Sequence, residues 1–264
     1  GGGKTYGLLL SPLRYKNIKG FGCVIFRRNF NQIYAEGGLW DEAANMYYGI
    51  KGAHPRKSRN LWQFEDSRGH VDSKVSFAHI ERDEDVHKWQ GSQICEICFD
   101  ELTHFSEFVF FYMLSRNRST CGVRPFVRAT CNPDADSWVA RFIEWWIDPE
   151  TGYPIKERSG TIRWMYRYNN TIYWGDSKEE LWKQFKLTGE AREEIKSVTF
   201  IASTLEDNKI LLAKDPGYKA NLKALSTVER ERLLFGNWKI KPAAGLYFRR
   251  TQVGEMLPNV PADV

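Results

Sequence analysis

The sequence has no run of about 18 apolar residues, the length a helix needs to cross a bilayer. Nothing in it reads as a helical membrane span. Its first residues lack the charged, apolar and small-residue succession of a secretory leader. It carries no internal repeat and no low-complexity tract, which excludes solenoid and array architectures. Cysteine is sparse and odd in number: Cys23, Cys95, Cys98, Cys121 and Cys131. In a chain of 264 residues that argues against a disulfide framework and for reduced thiols in a cytosolic protein. Cys95 and Cys98 form a C-x-x-C, but residues three apart on a strand face opposite sides, so they read as buried structural thiols and not as a metal or redox pair. Charge is nearly balanced at +5, an excess compatible with a nucleic-acid partner but not diagnostic of one.

What is present in quantity is apolar and aromatic side chain, enough for one large α/β core with a small appended subdomain. The chain is organised around Ile94-Cys95-Glu96-Ile97-Cys98-Phe99-Asp100-Glu101. Such a short apolar run reads as a strand buried on both faces. Two acids at its carboxyl end would leave the core and face the crevice where open α/β sheets bind ligands. The alternative is an Asp-Glu pair capping the next helix. The chain begins Gly1-Gly2-Gly3-Lys4-Thr5, the end of a phosphate-binding G-x-x-x-x-G-K-[ST] loop. The first three positions of that pattern, and the strand that should feed it, are not in the sequence, so further residues are expected upstream of Gly1.

Between and beyond these motifs the elements alternate. Strands are expected over 22–27, 61–65, 74–80, 125–131, 161–168, 171–174 and 198–203. Helices are expected over 29–49, 106–114, 136–146, 178–187, 217–224 and 227–235. Residues 51–60, with Lys51, His54, Arg56, Lys57 and Arg59, read as a solvated loop or a phosphate-contacting one. The cluster Trp164, Tyr166, Tyr168, Tyr173 and Trp174 reads as the packing of a small sheet, with a nucleic-acid stacking platform as the alternative. Boundaries are expected after 147 and after 240.

The chemistry follows from the residue types. A helix start offers free backbone N–H groups, and glycines let the backbone approach phosphate oxygens. Lys4 would reach the β- and γ-phosphates, and the Thr5 hydroxyl would bind Mg²⁺. Asp100 would hold Mg²⁺, through water, and Glu101 would polarise the attacking water as general base. Arginine fingers can accelerate phosphoryl transfer by about 10³–10⁵. Arg27 and Arg28 end a strand, and Arg27 could act within its own subunit. Arg116 and Arg118 could reach a neighbour's site. Each reads equally well as a surface ion-pair residue. Thr130 and Asn132, at the end of the strand after the acidic one, could sense the γ-phosphate or mark a strand stop before Pro133.

Taken in order, these residues resemble a known family, the ATPase domain of the large terminase subunit of tailed bacteriophages. The likeness runs through the Gly-Lys-Thr loop, Val24-Ile25-Phe26-Arg27-Arg28, Gln90-Gly91, Phe99-Asp100-Glu101-Leu102-Thr103-His104-Phe105, Ser115-Arg116-Asn117-Arg118-Ser119 and Ala129-Thr130-Cys131-Asn132-Pro133. It continues at Ser203-Thr204-Leu205-Glu206-Asp207-Asn208 and Leu234-Phe235-Gly236-Asn237-Trp238. The resemblance implies a P-loop NTPase three-layer α/β sandwich with a mostly parallel central sheet. It implies an ATPase core over 1–147, a lid subdomain with closing elements over 148–240, and a linker over 241–264 toward a nuclease domain that is not in the sequence. Gly1, Gly2, Gly3, Lys4 and Thr5 would bind nucleotide, Thr5 and Asp100 the metal. Glu101 would be the catalytic carboxylate, with Arg27, Arg116 and Arg118 as finger candidates. Thr130 and Asn132 would belong to the coupling motif.

ATP and Mg²⁺ are the implied cofactors. Double-stranded DNA, the portal protein, the small terminase subunit and further copies of the chain, as a five-membered ring on the portal, are the implied partners. The implied setting is the host cytoplasm and, transiently, the procapsid portal vertex. A helicase-like P-loop ATPase and a non-catalytic DNA-binding or assembly module are the competing readings.

Overall fold

The computed structural model describes residues 3–241. Gly1 and Gly2, and the expected linker beyond Lys241, lie outside the described residues. Helix α1 (Lys4–Leu10) opens the chain and leads to strand β1 (Phe21–Arg27). Helices α2 (Asn31–Tyr34) and α3 (Leu39–Tyr47) follow, then β2 (Ala53–Arg56), β3 (Leu61–Glu65), β4 (Val71–His79) and the acidic strand β5 (Glu96–Phe99). Helix α4 (Glu107–Leu114), β6 (Phe126–Ala129) and α5 (Trp138–Phe142) complete the larger layer system.

These six strands form one sheet in the order β2-β3-β4-β1-β5-β6. Strands β4, β1, β5 and β6 run parallel, while β3 is antiparallel to β2 and β4. The sheet is therefore mixed but mostly parallel. Strand β1 shows why it is central: Phe21, Cys23 and Ile25 enter one core cluster and Val24 and Phe26 the other. Alternate side chains thus bury both faces, as a parallel strand covered by helices requires. One cluster packs α1 and α3 against the sheet, the other packs α4 and α5. This is the expected three-layer α/β sandwich.

A second sheet, in the order β8-β7-β9, is built from β7 (Ile162–Tyr168), β8 (Thr171–Gly175) and β9 (Lys196–Thr199). Helix α6 (Lys178–Gln184) packs on it, and Trp164, Tyr166 and Tyr173 belong to that small core. The aromatic cluster is thus largely packing. Three short helices, α7 (Lys209–Lys214), α8 (Gly217–Lys223) and α9 (Thr227–Leu233), close the described chain. No helix of the described residues is long and apolar enough to cross a membrane.

Several expectations change in detail. The helix expected over 29–49 is two helices. A side chain at Gly38 would meet the Ala35 carbonyl oxygen at 2.6 Å, and Gly37 sits at φ +66°. The tight turn between α2 and α3 therefore depends on the glycine pair. The expected loop over 51–60 contains β2, an edge strand in which Pro55 opposes Trp62. An edge tolerates proline because one side of the strand has no ladder to complete. The strand expected over 198–203 is β9, and its pairing stops at Thr199 because its partner β7 begins at Ile162. Helix α7 has no counterpart among the expected helices. Cys95 and Cys98 lie in the same core cluster and not on opposite faces, because the regular strand begins only at Glu96. Their sulfurs approach Cys121 at 3.9 Å and Cys23 at 4.0 Å, and all five cysteines are free thiols.

Candidate active site

The sheet brings the carboxyl ends of β1, β5 and β6 side by side, facing the start of α1. Register explains it: Phe26 pairs with Phe99, and Phe99 with Ala129. The residues just beyond those pairs are therefore neighbours. They are Arg27, Asp100-Glu101 and Thr130-Cys131-Asn132, and Lys4 and Thr5 meet them from α1.

Asp100 is nearly fully buried, at 2% exposure, and so needs partners for its charge. Arg27 supplies two donors to Oδ2, Nε at 2.8 Å and Nη2. Thr130 Oγ1 donates to Oδ1 at 2.7 Å. Thr5 Oγ1 lies 3.4 Å from both carboxylate oxygens. Glu101 adopts a left-handed backbone conformation, φ +63° and ψ +65°. Such a conformation costs a non-glycine residue about 1–3 kcal/mol and persists where the surroundings enforce it. Here the backbone is held by the Leu102 N–H donating to the Thr130 carbonyl at 2.7 Å, and the carboxylate by Asn132, which donates its backbone N–H to Glu101 Oε2 at 3.0 Å and its Nδ2 to Oε1 at 2.9 Å. The Glu101 N–H reaches Thr130 Oγ1 at 3.3 Å.

Lys4 Nζ donates to the Cys131 carbonyl at 3.0 Å and to Asn132 Oδ1. Asn132 therefore bridges Lys4 and Glu101, and Thr130 bridges Asp100 and Glu101. Gly3, which caps α1, sits at φ +70°. Desolvation pushes the Cys131 thiol up to about 12, against the opposing pull of Lys4. It is a neutral neighbour and not a nucleophile.

Lys4, Thr5, Arg27, Asp100, Glu101, Thr130 and Asn132 thus come together in one cluster. Arg28 is turned to Asp83, 3.5 Å away. Arg116 and Arg118 sit at the opposite end of β5. Arg118 Nη2 donates to the Ser92 carbonyl at 3.0 Å, and Arg116 stacks on Tyr112. Neither can serve this chain's own cluster. Asp134 and Asp136 are local loop and surface groups: Asp134 accepts from the Asp136 N–H, and Lys241 pairs with Asp136.

Three neighbours of the cluster are not among the site residues read from the sequence. Asn208 approaches Gly3: its Nδ2 would lie 3.9 Å from a Cβ there. Glu229 and Arg232 of α9 share a cavity of about 300 Å³ with Glu101 and Asn132. The Asn208 motif carried a signal, in the Leu205-Glu206-Asp207-Asn208 stretch. Arg232 carried none, because a charged helix face is the ordinary state of an exposed helix.

The cluster matches what phosphate and a hard divalent ion require: an ammonium at a glycine-started helix, a hydroxyl beside a buried carboxylate, and a second carboxylate held by amide donors. Fold and site together define a P-loop-type α/β domain. The chain belongs to the family of terminase large subunits, T4likevirus-type, N-terminal region, whose model matches residues 1–254.

Among solved structures it is similar to the large terminase of a thermophilic bacteriophage, with TM-score 0.54, 12% identity and 90% of this chain covered. The ADP complex of that terminase gives TM-score 0.54 at 13% identity, again covering 90% of this chain. The ATPase domain of the Thermus phage P74-26 large terminase matches with TM-score 0.50 and 9% identity, over 90% of this chain and 84% of that one. At these identities the likeness concerns the fold. The chain spans 46% of the length of the first terminase, with and without ADP. No curated protein sequence matches it.

Proposed function

We propose that this chain is the Mg²⁺-dependent ATPase part of a terminase large subunit, which drives double-stranded DNA into a viral procapsid. The single observation that carries the reading is the Lys4–Asn132–Glu101 bridge beside the buried Asp100. It joins a phosphate-binding cation to a general base across one small cluster. The ADP complex of the thermophilic phage's large terminase supports a nucleotide as ligand. Family membership favours packaging over the helicase-like and non-catalytic readings.

The residues fit a magnesium ion. Thr5 and Asp100 offer hard oxygen donors already 3.4 Å apart, and the ion's charge could take over the neutralising role of Arg27. Thr5 and Asp100 would hold the ion, and it would supply positive charge to offset that of the phosphates.

Lys4 exchanges the Cys131 carbonyl and the Asn132 side chain for the β- and γ-phosphates. Arg27, released from Asp100, places its charge near the transferring phosphoryl group. Glu101 orients the attacking water and accepts its proton. The new bond joins the water oxygen to the γ-phosphorus, the bond to the bridging oxygen breaks, and ADP departs with that electron pair. Asn132 keeps Glu101 aimed throughout. Thr130 and Asn132 couple the event to the elements over 148–240, whose lid subdomain moves against the 1–147 core.

Arg116 and Arg118, at the far end of β5, act only on a neighbouring subunit's site. The partners in this reading are DNA, portal, small subunit and further copies in a pentameric ring at the portal vertex. DNA contact is electrostatic, so affinity should fall steeply with salt. A flat salt response would count against it.

The test is Glu101→Ala in the full-length protein. Phosphate release should vanish while ATP still binds within a few-fold of wild type. Full turnover in that variant overturns the assignment.

A further inference from the structure

The segment that leaves the candidate site is held at both ends. Thr130 and Asn132 are tied to Asp100 and Glu101. The next residues are tied to α9 and the chain behind it. Arg232 Nε donates to the Pro133 carbonyl at 2.7 Å, and Arg232 Nη2 lies 4.0 Å from Asp134 Oδ2. Lys241 pairs with Asp136. Arg232 also lines the cavity that contains Glu101, and it is the one permanently charged cation among the described lining residues.

We propose that Arg232 is a positioning residue for hydrolysis: it anchors the 130–136 segment to α9 so that Asn132 holds Glu101 in place. The inference rests on the reading of Glu101 given above. The lever is short. Asn132 directly precedes the proline whose carbonyl Arg232 holds, and a residue before proline has restricted backbone freedom. Fixing the Pro133 carbonyl therefore limits how the Asn132 backbone and amide can turn. Among the described residues both donors to the Glu101 carboxylate come from Asn132, so a shift there moves the carboxylate as a unit. Misplacement of a catalytic group by about 1 Å can cost about a hundredfold in rate.

The same contact runs the other way. Whatever biases Asn132 at the nucleotide site biases α9, because coupling between two sites is reciprocal. The role needs a donor to a carbonyl oxygen, not a guanidinium on a phosphate. Lysine can therefore substitute in part, and the 4.0 Å approach to Asp134 contributes little.

The experiment compares Arg232→Ala, Arg232→Lys and Asp134→Asn with wild type in the full-length protein. It measures kcat per folded molecule, nucleotide Kd by direct titration, and amide exchange of α9 with and without Mg²⁺ and a non-hydrolysable ATP analogue. Arg232→Ala should lower kcat by about 10- to 100-fold and leave Kd within about threefold. Arg232→Lys should recover most of the loss, and Asp134→Asn should stay within about twofold of wild type. The analogue should protect α9 in wild type and in Arg232→Lys but not in Arg232→Ala.

An unchanged kcat in Arg232→Ala overturns the inference while leaving the site reading intact. Arg232→Lys as impaired as Arg232→Ala also overturns it, since the guanidinium would then act on the phosphate itself. Absence of turnover in wild type removes the site reading and this inference together.

Discussion

Arg27 and Asp100 form the most buried ion pair of the candidate site: the carboxylate side chain is 1% exposed and the guanidinium 21%. The pair exists because β1 lies directly beside β5, in a register that ends both strands at one level. Its consequence is a carboxylate that carries its own counter-ion. Arg27→Ala leaves that charge with only hydroxyl partners. Breaking a buried pair by removing one partner costs about 3–5 kcal/mol. Thr130 and Thr5 soften the loss, so about 2–3 kcal/mol is expected by urea unfolding. Mg²⁺ with nucleotide should then raise the Tm of Arg27→Ala more than that of wild type, because the ion restores the missing charge. An equal rise in both proteins would contradict this account of the pair.

Glu101 holds a left-handed backbone for the sake of its side-chain position. Asparagine and glycine accept that conformation more readily than other residues. Glu101→Gly and Glu101→Asn should therefore match or exceed wild-type stability, while Glu101→Ala should fall below them by about 1 kcal/mol. All three should lose ATP turnover. Denaturant midpoints together with phosphate-release assays check this, and a Glu101→Gly variant well below Glu101→Ala in stability would refute the strain argument.

Glu96, which opens the strand that leads to Asp100 and Glu101, is fully buried, and its Oε2 has no hydrogen-bond partner among the described residues. Arg128 approaches the other oxygen at 3.8 Å. Desolvation raises the pKa of its carboxyl above the ordinary glutamate value, outweighing the lowering by Ser11 and Arg128. The folded state thus binds the proton more tightly than the unfolded chain. Stability contributed by this protonation is full below the unfolded pKa and is lost as pH rises through the folded one. Glu96→Gln cannot ionise, so its Tm relative to wild type should rise as pH is taken upward through the carboxylate range towards neutrality. A Tm difference that stays flat across that range would mean the carboxyl ionises equally in both states.

Much of this arrangement was legible in the sequence because it is local. Ser106, Ser137 and Ser177 stand at helix starts, and their hydroxyls accept from Val109, Val139 and Glu180. The apolar run before Asp100-Glu101 identified a strand buried on both faces, since only such a strand tolerates it. What was not legible depends on strand order. Nothing in Val24-Ile25-Phe26-Arg27 says that its neighbour is β5, and so nothing says that Arg27 pairs with Asp100. The edge strand β2 escaped because a basic, proline-containing stretch has no apolar alternation to read. Arg232 escaped for a related reason: its partner lies 99 positions away and is a backbone carbonyl, which leaves no mark in sequence.

Asn132 makes the sharpest test, because its two contacts pull in opposite directions. Its Oδ1 accepts from Lys4, and its Nδ2 donates to Glu101. In the proposed function the first contact competes with phosphate for the ammonium, and the second aims the proposed general base. Removing the side chain with Asn132→Ala leaves Lys4 only the Cys131 carbonyl to give up. ATP should then bind more tightly, by about three- to tenfold, the worth of one charge-assisted hydrogen bond partly replaced by water. Turnover should fall by about 10²-fold or more, because Glu101 keeps only the backbone donor of residue 132. Fluorescent-nucleotide titration and phosphate release on one preparation give both numbers. Weaker binding with slower turnover would mean that Asn132 contacts the nucleotide itself. Tighter binding with slower turnover is the outcome required of a residue shared between Lys4 and Glu101 in their proposed roles.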